Sequence, residues 1–146
     1  MPVQICTPIT VRYAETDMMG VVYHANYLLY FEDARTDFLK KVGLPYEEVE
    51  ELGFMCPIYS ASLSYGQPLR YGEDAFVATQ ITQVSSVKVT YHQEVYRQGM
   101  EPGKDKPLVS GDIVCCMVRK EDFAPVSFKR ELPEHYELYL KLIEGE

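Results

Sequence analysis

A carboxylate and an imidazole, Asp17 and His24, stand seven residues apart near the start of the chain, with Gly20 between them and Tyr13 four residues before the acid. A carboxylate in such a setting has two chemical uses: it attacks an acyl carbon as a nucleophile, or it takes a proton from a water that does. Asp is also favoured in turns and at helix caps, so a purely conformational role stands beside these two. His24 offers an orienting ring N–H. Its backbone N–H, or that of Tyr23, is also a candidate donor to a developing oxyanion, worth on the order of 3 kcal/mol when preorganised. In that case the amide at position 24 matters more than the side chain.

Other catalytic patterns are missing. The sequence has no Ser-His-Asp signature, no GxSxG elbow, no phosphate-binding GxxxxGK[ST] loop and no GxGxxG. What remains is acid-driven hydrolysis, isomerisation or dehydration of an activated acyl group. Glu32 and Asp33 are competing acids, but both fall off the apolar stripe of the helix that follows and read as a solvated face. His92 and His135 read as ordinary sheet and surface histidines.

The elements that must hold Asp17 and His24 follow from the pattern of apolar residues. From Tyr27 the period is helical: Tyr27, Phe31, Ala34, Phe38 and Val42 form one stripe, flanked by Leu28 and Leu39. Asn26 is placed to cap this helix, and Gly43 followed by Pro45 stops it. A carboxylate just ahead of a helix start sits beside unpaired N–H groups and the positive end of the dipole. Residues 45–52 predict a short second helix, with proline first and acids in its first turn. Strands are predicted over 3–13, 55–65, 74–84, 87–97 and 107–119, separated by turn-forming segments. Pro8 marks the first strand as an edge or a bulge. The tail segment PEHYELYLKLI predicts a terminal helix. The order gives an α+β domain over residues 1–146, one long helix wrapped by a curved antiparallel sheet, whose edges invite pairing between protomers.

Composition narrows the function classes. A net charge of −8 argues against nucleic-acid binding, whose affinity rests on neutralised phosphates. No apolar run approaches the roughly 20 residues a membrane span needs, and the start of the chain carries no secretory pattern. Cys6, Cys56, Cys115 and Cys116 lack metal-ligand spacing and read as buried free thiols of a cytoplasmic protein.

The run formed by Tyr13, Asp17, Gly20, Val21, Val22, Tyr23, His24, Asn26, Tyr27, Phe31, Glu32, Ala34 and Arg35 closely resembles the hotdog-fold acyl-CoA thioesterases, above all their 4-hydroxybenzoyl-CoA thioesterase and YbgC branch. The match covers about residues 13–43, and the presence of His24 leans toward the YbgC-like members. The resemblance implies a hotdog fold, a dimer joined by edge strands and often doubled to a homotetramer, and active sites at the interface, with no cofactor and no metal. It implies that Asp17 acts as nucleophile or general base on a thioester carbonyl. The amide at His24 would polarise that carbonyl from the helix start. Tyr13 and the His24 side chain support them, with Tyr23, Gly20 and Asn26 in the positioning loop.

CoA brings phosphates, and Lys88, Arg119, Lys120, Lys129 and Arg130 are the basic residues proposed to receive them, although each also serves as plain solubilising charge. An acyl carrier protein is the alternative donor. Tyr27, Tyr30, Phe31, Tyr59 and Tyr65 either line an aromatic acyl pocket or fill the core. The competing reading is an acyl-CoA or acyl-carrier-protein binding module of the same fold, without turnover.

Overall fold

The helical period that begins at Tyr27 becomes α1 (Tyr27–Lys41) in the computed structural model of the chain, which describes residues 1–145. Glu146, the last residue of the expected domain, lies outside the described residues. The stop signal works through its hydrogen bonds. Leu44 N–H donates to Leu39 O at 2.8 Å and Gly43 N–H to Lys40 O at 3.2 Å, with Gly43 at φ +83°, a conformation glycine alone adopts without strain.

The helix start differs from the expectation. Asn26 is itself helical (φ −73°, ψ −16°) and its side chain caps nothing on α1. A single 3-10 turn, His24–Asn26, runs directly into α1, so the N-terminal end of the helical segment lies at His24.

After α1 the chain forms α2 (Tyr46–Glu51) and then strands: β2 (Phe54–Met55), β3 (Ile58–Tyr65), β4 (Asp74–Val84), β5 (Lys88–Arg97), β6 (Val109–Cys116) and β7 (Val118–Arg119). With β1 (Ile5–Thr10) they make a five-stranded antiparallel sheet in the order β1-β4-β5-β6-β3, while β2 pairs with β7. Pro8 lies on β1, an edge strand, where its missing N–H costs no ladder bond. The predicted strand over 107–119 divides at Met117 into β6 and β7. Two tail helices follow, α3 (Phe128–Glu131), capped by Ser127 Oγ, and α4 (Pro133–Glu144).

Phe31, Ala34 and Phe38 are fully buried and pack with Val77, Ile81, Val95 and Ile113 into one core between α1 and the sheet. The buried stripe also takes in Tyr30, whereas Leu28, expected beside it, is 41% exposed. Gly111 lets the helix approach this closely. A Cβ there would stand 2.9 Å from Ser62 O and 3.0 Å from the Phe31 ring. Cys115 is buried and Cys116 half-buried on opposite faces of β6; Cys6, expected inside, is exposed on β1.

Candidate active site

Residues 11–26 fold into a tight knot ahead of α1, and at its centre is Glu15, which no motif or spacing singles out. This carboxylate is buried. Its oxygens accept from Tyr30 Oη (2.8 Å), Arg12 N–H (2.8 Å) and Arg12 Nε (3.1 Å). Its backbone carbonyl accepts from Tyr23 N–H (2.9 Å) and Asn26 Nδ2 (2.9 Å). Glu15 thus ties the segment before the turn to α1, through Tyr30, and to the chain after the turn, through Tyr23 and Asn26. Burial pushes the Glu15 carboxyl up. The bonds from the Arg12 backbone, Tyr30 and the Arg12 side chain together outweigh that and hold it below its ordinary value. The Tyr30 hydroxyl is driven well above its ordinary value by burial and by this carboxylate.

Asp17 sits two residues further on, at the start of a turn that reverses the chain. Gly20 N–H donates to Asp17 O (3.0 Å), Asp17 N–H to Val21 O (2.9 Å), and Gly20 takes φ +78°. One carboxylate oxygen, Oδ1, accepts from Met19 N–H at 2.8 Å, so Asp17 does perform the turn-forming job its type favours. That contact uses one oxygen; Oδ2 has no hydrogen-bond partner among the described residues. Met18 and Met19 at the tip are exposed.

Across the turn, Val22 N–H donates to Leu69 O at 2.8 Å, which fastens the returning strand to the loop before β4. His24 is exposed, with its ring against Tyr23 (centroids 4.4 Å apart) and edge-on to Tyr65 (6.2 Å). Tyr65 Oη donates to His24 O at 3.1 Å. The two candidate oxyanion amides now separate. Tyr23 N–H is committed to Glu15 O and cannot serve, because the knot consumes it. His24 N–H finds no acceptor among the described residues and stands at the open end of the helical segment. Asn26 likewise turns its amide group to Glu15 O. Tyr13 is exposed and packs edge-on to Tyr71, with ring centroids 5.8 Å apart.

The basic residues proposed for CoA lie elsewhere. Lys88 opens β5, whereas Arg97 closes it beside Glu73 and Pro68, at the Asp17 end of the sheet. Ten residues of strand, about 30 Å, separate the two ends. Lys88 Nζ rests 3.7 Å above the Tyr59 ring. Arg119 is 3.7 Å from Asp122, Lys129 lies over Tyr136, and Arg130 is 3.9 Å from Glu131. Lys120 N–H donates to Gly53 O, on the same side as Lys88. Within one chain this set is not brought to Asp17.

Of the aromatic candidates, Tyr27, Tyr30 and Phe31 are core, while Tyr59 and Tyr65 are exposed on β3. Glu32 and Asp33 are exposed. His92 is paired with Asp112 of the neighbouring β6 (2.9 Å) and with Glu94 of its own strand (3.3 Å). His135, expected on the surface, is half-buried between α4 and Glu48 of α2. A separate cavity of about 480 Å3 lies between the C-terminal half of α1, α2 and the sheet.

The chain is similar to proteins already known. Residues 11–132 match the thioesterase-like superfamily. YneP of Bacillus subtilis, whose name assigns it provisionally as an acyl-CoA thioesterase, is 38% identical over 133 residues, 91% of this chain and 93% of that protein. The acyl-CoA thioesterase YbgC of Helicobacter pylori is 34% identical over 128 residues, 85% of this chain and 93% of its own. Among solved structures, the DHNA-CoA thioesterase of Staphylococcus aureus superposes with a TM-score of 0.87 at 31% identity, covering 98% of this chain and 95% of that one. The chain therefore belongs to the thioesterase-like superfamily and has the hotdog fold of its acyl-CoA thioesterases.

Proposed function

We propose that the protein hydrolyses an acyl-CoA with a short-chain or aromatic acyl group, giving the free acid and CoA, and that Asp17 and the His24 amide carry the reaction. The observation that supports this most directly is the pairing of a carboxylate with a spare oxygen and a helix-start N–H with no acceptor among the described residues, on two arms of one knot. The thioester carbonyl oxygen would accept from His24 N–H, and charge gathering on it would be stabilised by that amide and the helix end. Asp17 would attack the carbonyl carbon, expelling CoA thiolate and leaving an anhydride for water to open, or would take a proton from the attacking water. Tyr65, by binding His24 O, would hold the helix start in place.

The site is completed by a second copy. β3 has a ladder partner on one side only, and seven of its eight residues are exposed, among them Ile58, Tyr59 and Tyr65. Ser60, Ala61, Ser62 and Ser64 make the middle of this edge small enough for close approach. Antiparallel pairing of β3 with its own copy about a two-fold axis would set the Ile58 end of one protomer beside the Tyr65 end of the other. Lys88, Arg119, Lys120, Lys129 and Arg130 of the second copy would then approach the Asp17 turn, where they could receive the phosphates of CoA. DHNA-CoA, the substrate named for the S. aureus relative, makes an aromatic acyl group the first to try.

The test is thiol release from short-chain, long-chain, benzoyl and dihydroxynaphthoyl CoA thioesters, and from an acylated carrier protein. Turnover of at least one, lost by more than about a hundredfold in Asp17→Asn, corresponds to nearly 3 kcal/mol of transition-state stabilisation. Turnover unchanged by Asp17→Asn would move the chemistry to another acid. Silence with CoA still bound would favour the binding module.

A further inference from the structure

The cavity beyond the Asp17 turn holds a pair of thiols that hydrolysis does not use. Cys56 and Cys115 both line it, together with Arg35 and apolar side chains such as Leu39, Val89 and Met117. Strand register explains the pairing. Met55 lies opposite Val118 and Ile58 opposite Cys115, so Cys56 falls opposite Met117 and on the diagonal from Cys115, on the same face. The two side chains are thus neighbours on one wall of the cavity.

Their environments set them apart. The neighbouring Cys56 side chain and the Arg35 guanidinium hold the Cys115 thiol below its ordinary value against the opposing effect of burial. The Cys115 side chain and burial push Cys56 up. Arg35 stands on the same cavity wall as Cys115, and a guanidinium beside a thiol favours the charged form that thiol oxidation requires. Residues 56–57 lie in no strand, so Cys56 can close the remaining distance, while Pro57 O keeps its bond from Cys116 N–H at 3.0 Å. Some movement is needed, because a disulfide wants Cβ atoms about 4 Å apart, closer than diagonal positions on a ladder usually stand.

We propose that Cys56 and Cys115 form a peroxide-responsive dithiol. The Cys115 sulfur attacks hydrogen peroxide, breaks its O–O bond and takes one oxygen as a sulfenic acid, releasing one water. The Cys56 sulfur then displaces that oxygen as a second water and closes a Cys56–Cys115 disulfide. Two thiols and one peroxide become one disulfide and two waters, and the two electrons that the sulfurs lose are the two that peroxide accepts. The bridge fastens the start of β3 to β6 across the wall of the cavity. Cys6, exposed on β1, and Cys116, on the opposite face of β6, are the internal controls.

The experiment is mass spectrometry of the whole chain after hydrogen peroxide, followed by a non-reducing peptide map. The expected result is the loss of two hydrogens per chain, a single cross-linked peptide pair joining Cys56 to Cys115, and reversal by dithiothreitol. In Cys56→Ser the reaction should stop at one added oxygen on Cys115, trapped by dimedone. Oxidation confined to Cys6 or Cys116, or complete oxidation with no Cys56–Cys115 peptide, would overturn the proposal. The wild-type map decides the matter even if the variant does not fold, and no step depends on thioester turnover.

Discussion

Glu15 and Asp17 are two acids two residues apart in the same knot, and their surroundings give them opposite work. Glu15 is buried, and three protein donors converge on its carboxylate. Asp17 lies at the turn, gives one oxygen to a backbone N–H and keeps the other toward the open side. A carboxylate buried under three protein donors is closed off from a substrate. One that is half-committed is aimed without being consumed. The difference teaches that the knot is a mounting: Glu15 holds the three pieces together, so Asp17 and the His24 amide face outward in fixed relation.

Substitutions can break this contrast from either side. The largest effect on stability is expected from Phe31→Ala, which removes the fully buried ring between α1 and the sheet and should cost about 3–5 kcal/mol, read by denaturant unfolding. Gly111→Ala acts on the same contact from the sheet and should cost about 1–3 kcal/mol, since the added methyl meets Ser62 O and the Phe31 ring.

Glu15→Gln tests the mounting itself. It removes the charge from three hydrogen bonds, at roughly 1.5–3 kcal/mol for a charged acceptor. Because the folded carboxyl is held below its ordinary value, the stability it contributes is present above about pH 4.5 and is lost as pH falls through the lower folded value. The gap in melting temperature between wild type and Glu15→Gln should therefore close on acidification. A gap that widened instead would contradict the ionised assignment.

His92 gives the smallest effect and the opposite sign. Burial lowers its pKa, but Asp112 and Glu94 together raise it above the ordinary 6.5. Its contribution is full below about pH 6.5 and fades as pH rises through the raised value. His92→Gln should thus be more destabilising in mildly acidic than in alkaline buffer, a small difference visible by calorimetry.

Much of this was legible in the chain. The period from Tyr27, Gly43 and Pro45 placed α1, because helix stripes and stop signals are local. The strands followed from β-branched and aromatic runs, with Pro8 correctly read as an edge residue. The run around Asp17 was visible as a motif. Glu15 was not, since an acid in a polar turn looks solvated. Its burial depends on Tyr30, 15 residues on, reaching back from a position beside the expected stripe. Asn26 misled for a related reason: its type suits a cap, but Glu15 O offered its amide a partner in the knot. The basic residues proposed for CoA showed no sign in sequence of their distance from Asp17; β5 carries Lys88, with Lys120 on the same side, to the far end of the sheet.

The most direct test sets Asp17→Asn and Glu15→Gln side by side, measuring thioester turnover and thermal unfolding on both. Asp17→Asn should keep the wild-type melting temperature to within about 2 °C, as expected for a surface change, and lose turnover by about a hundredfold or more. Glu15→Gln should melt lower and keep a larger share of its turnover. An Asp17→Asn protein that melts well below wild type and still turns over, beside a Glu15→Gln protein that melts normally and is inert, would reverse the two roles and contradict the account.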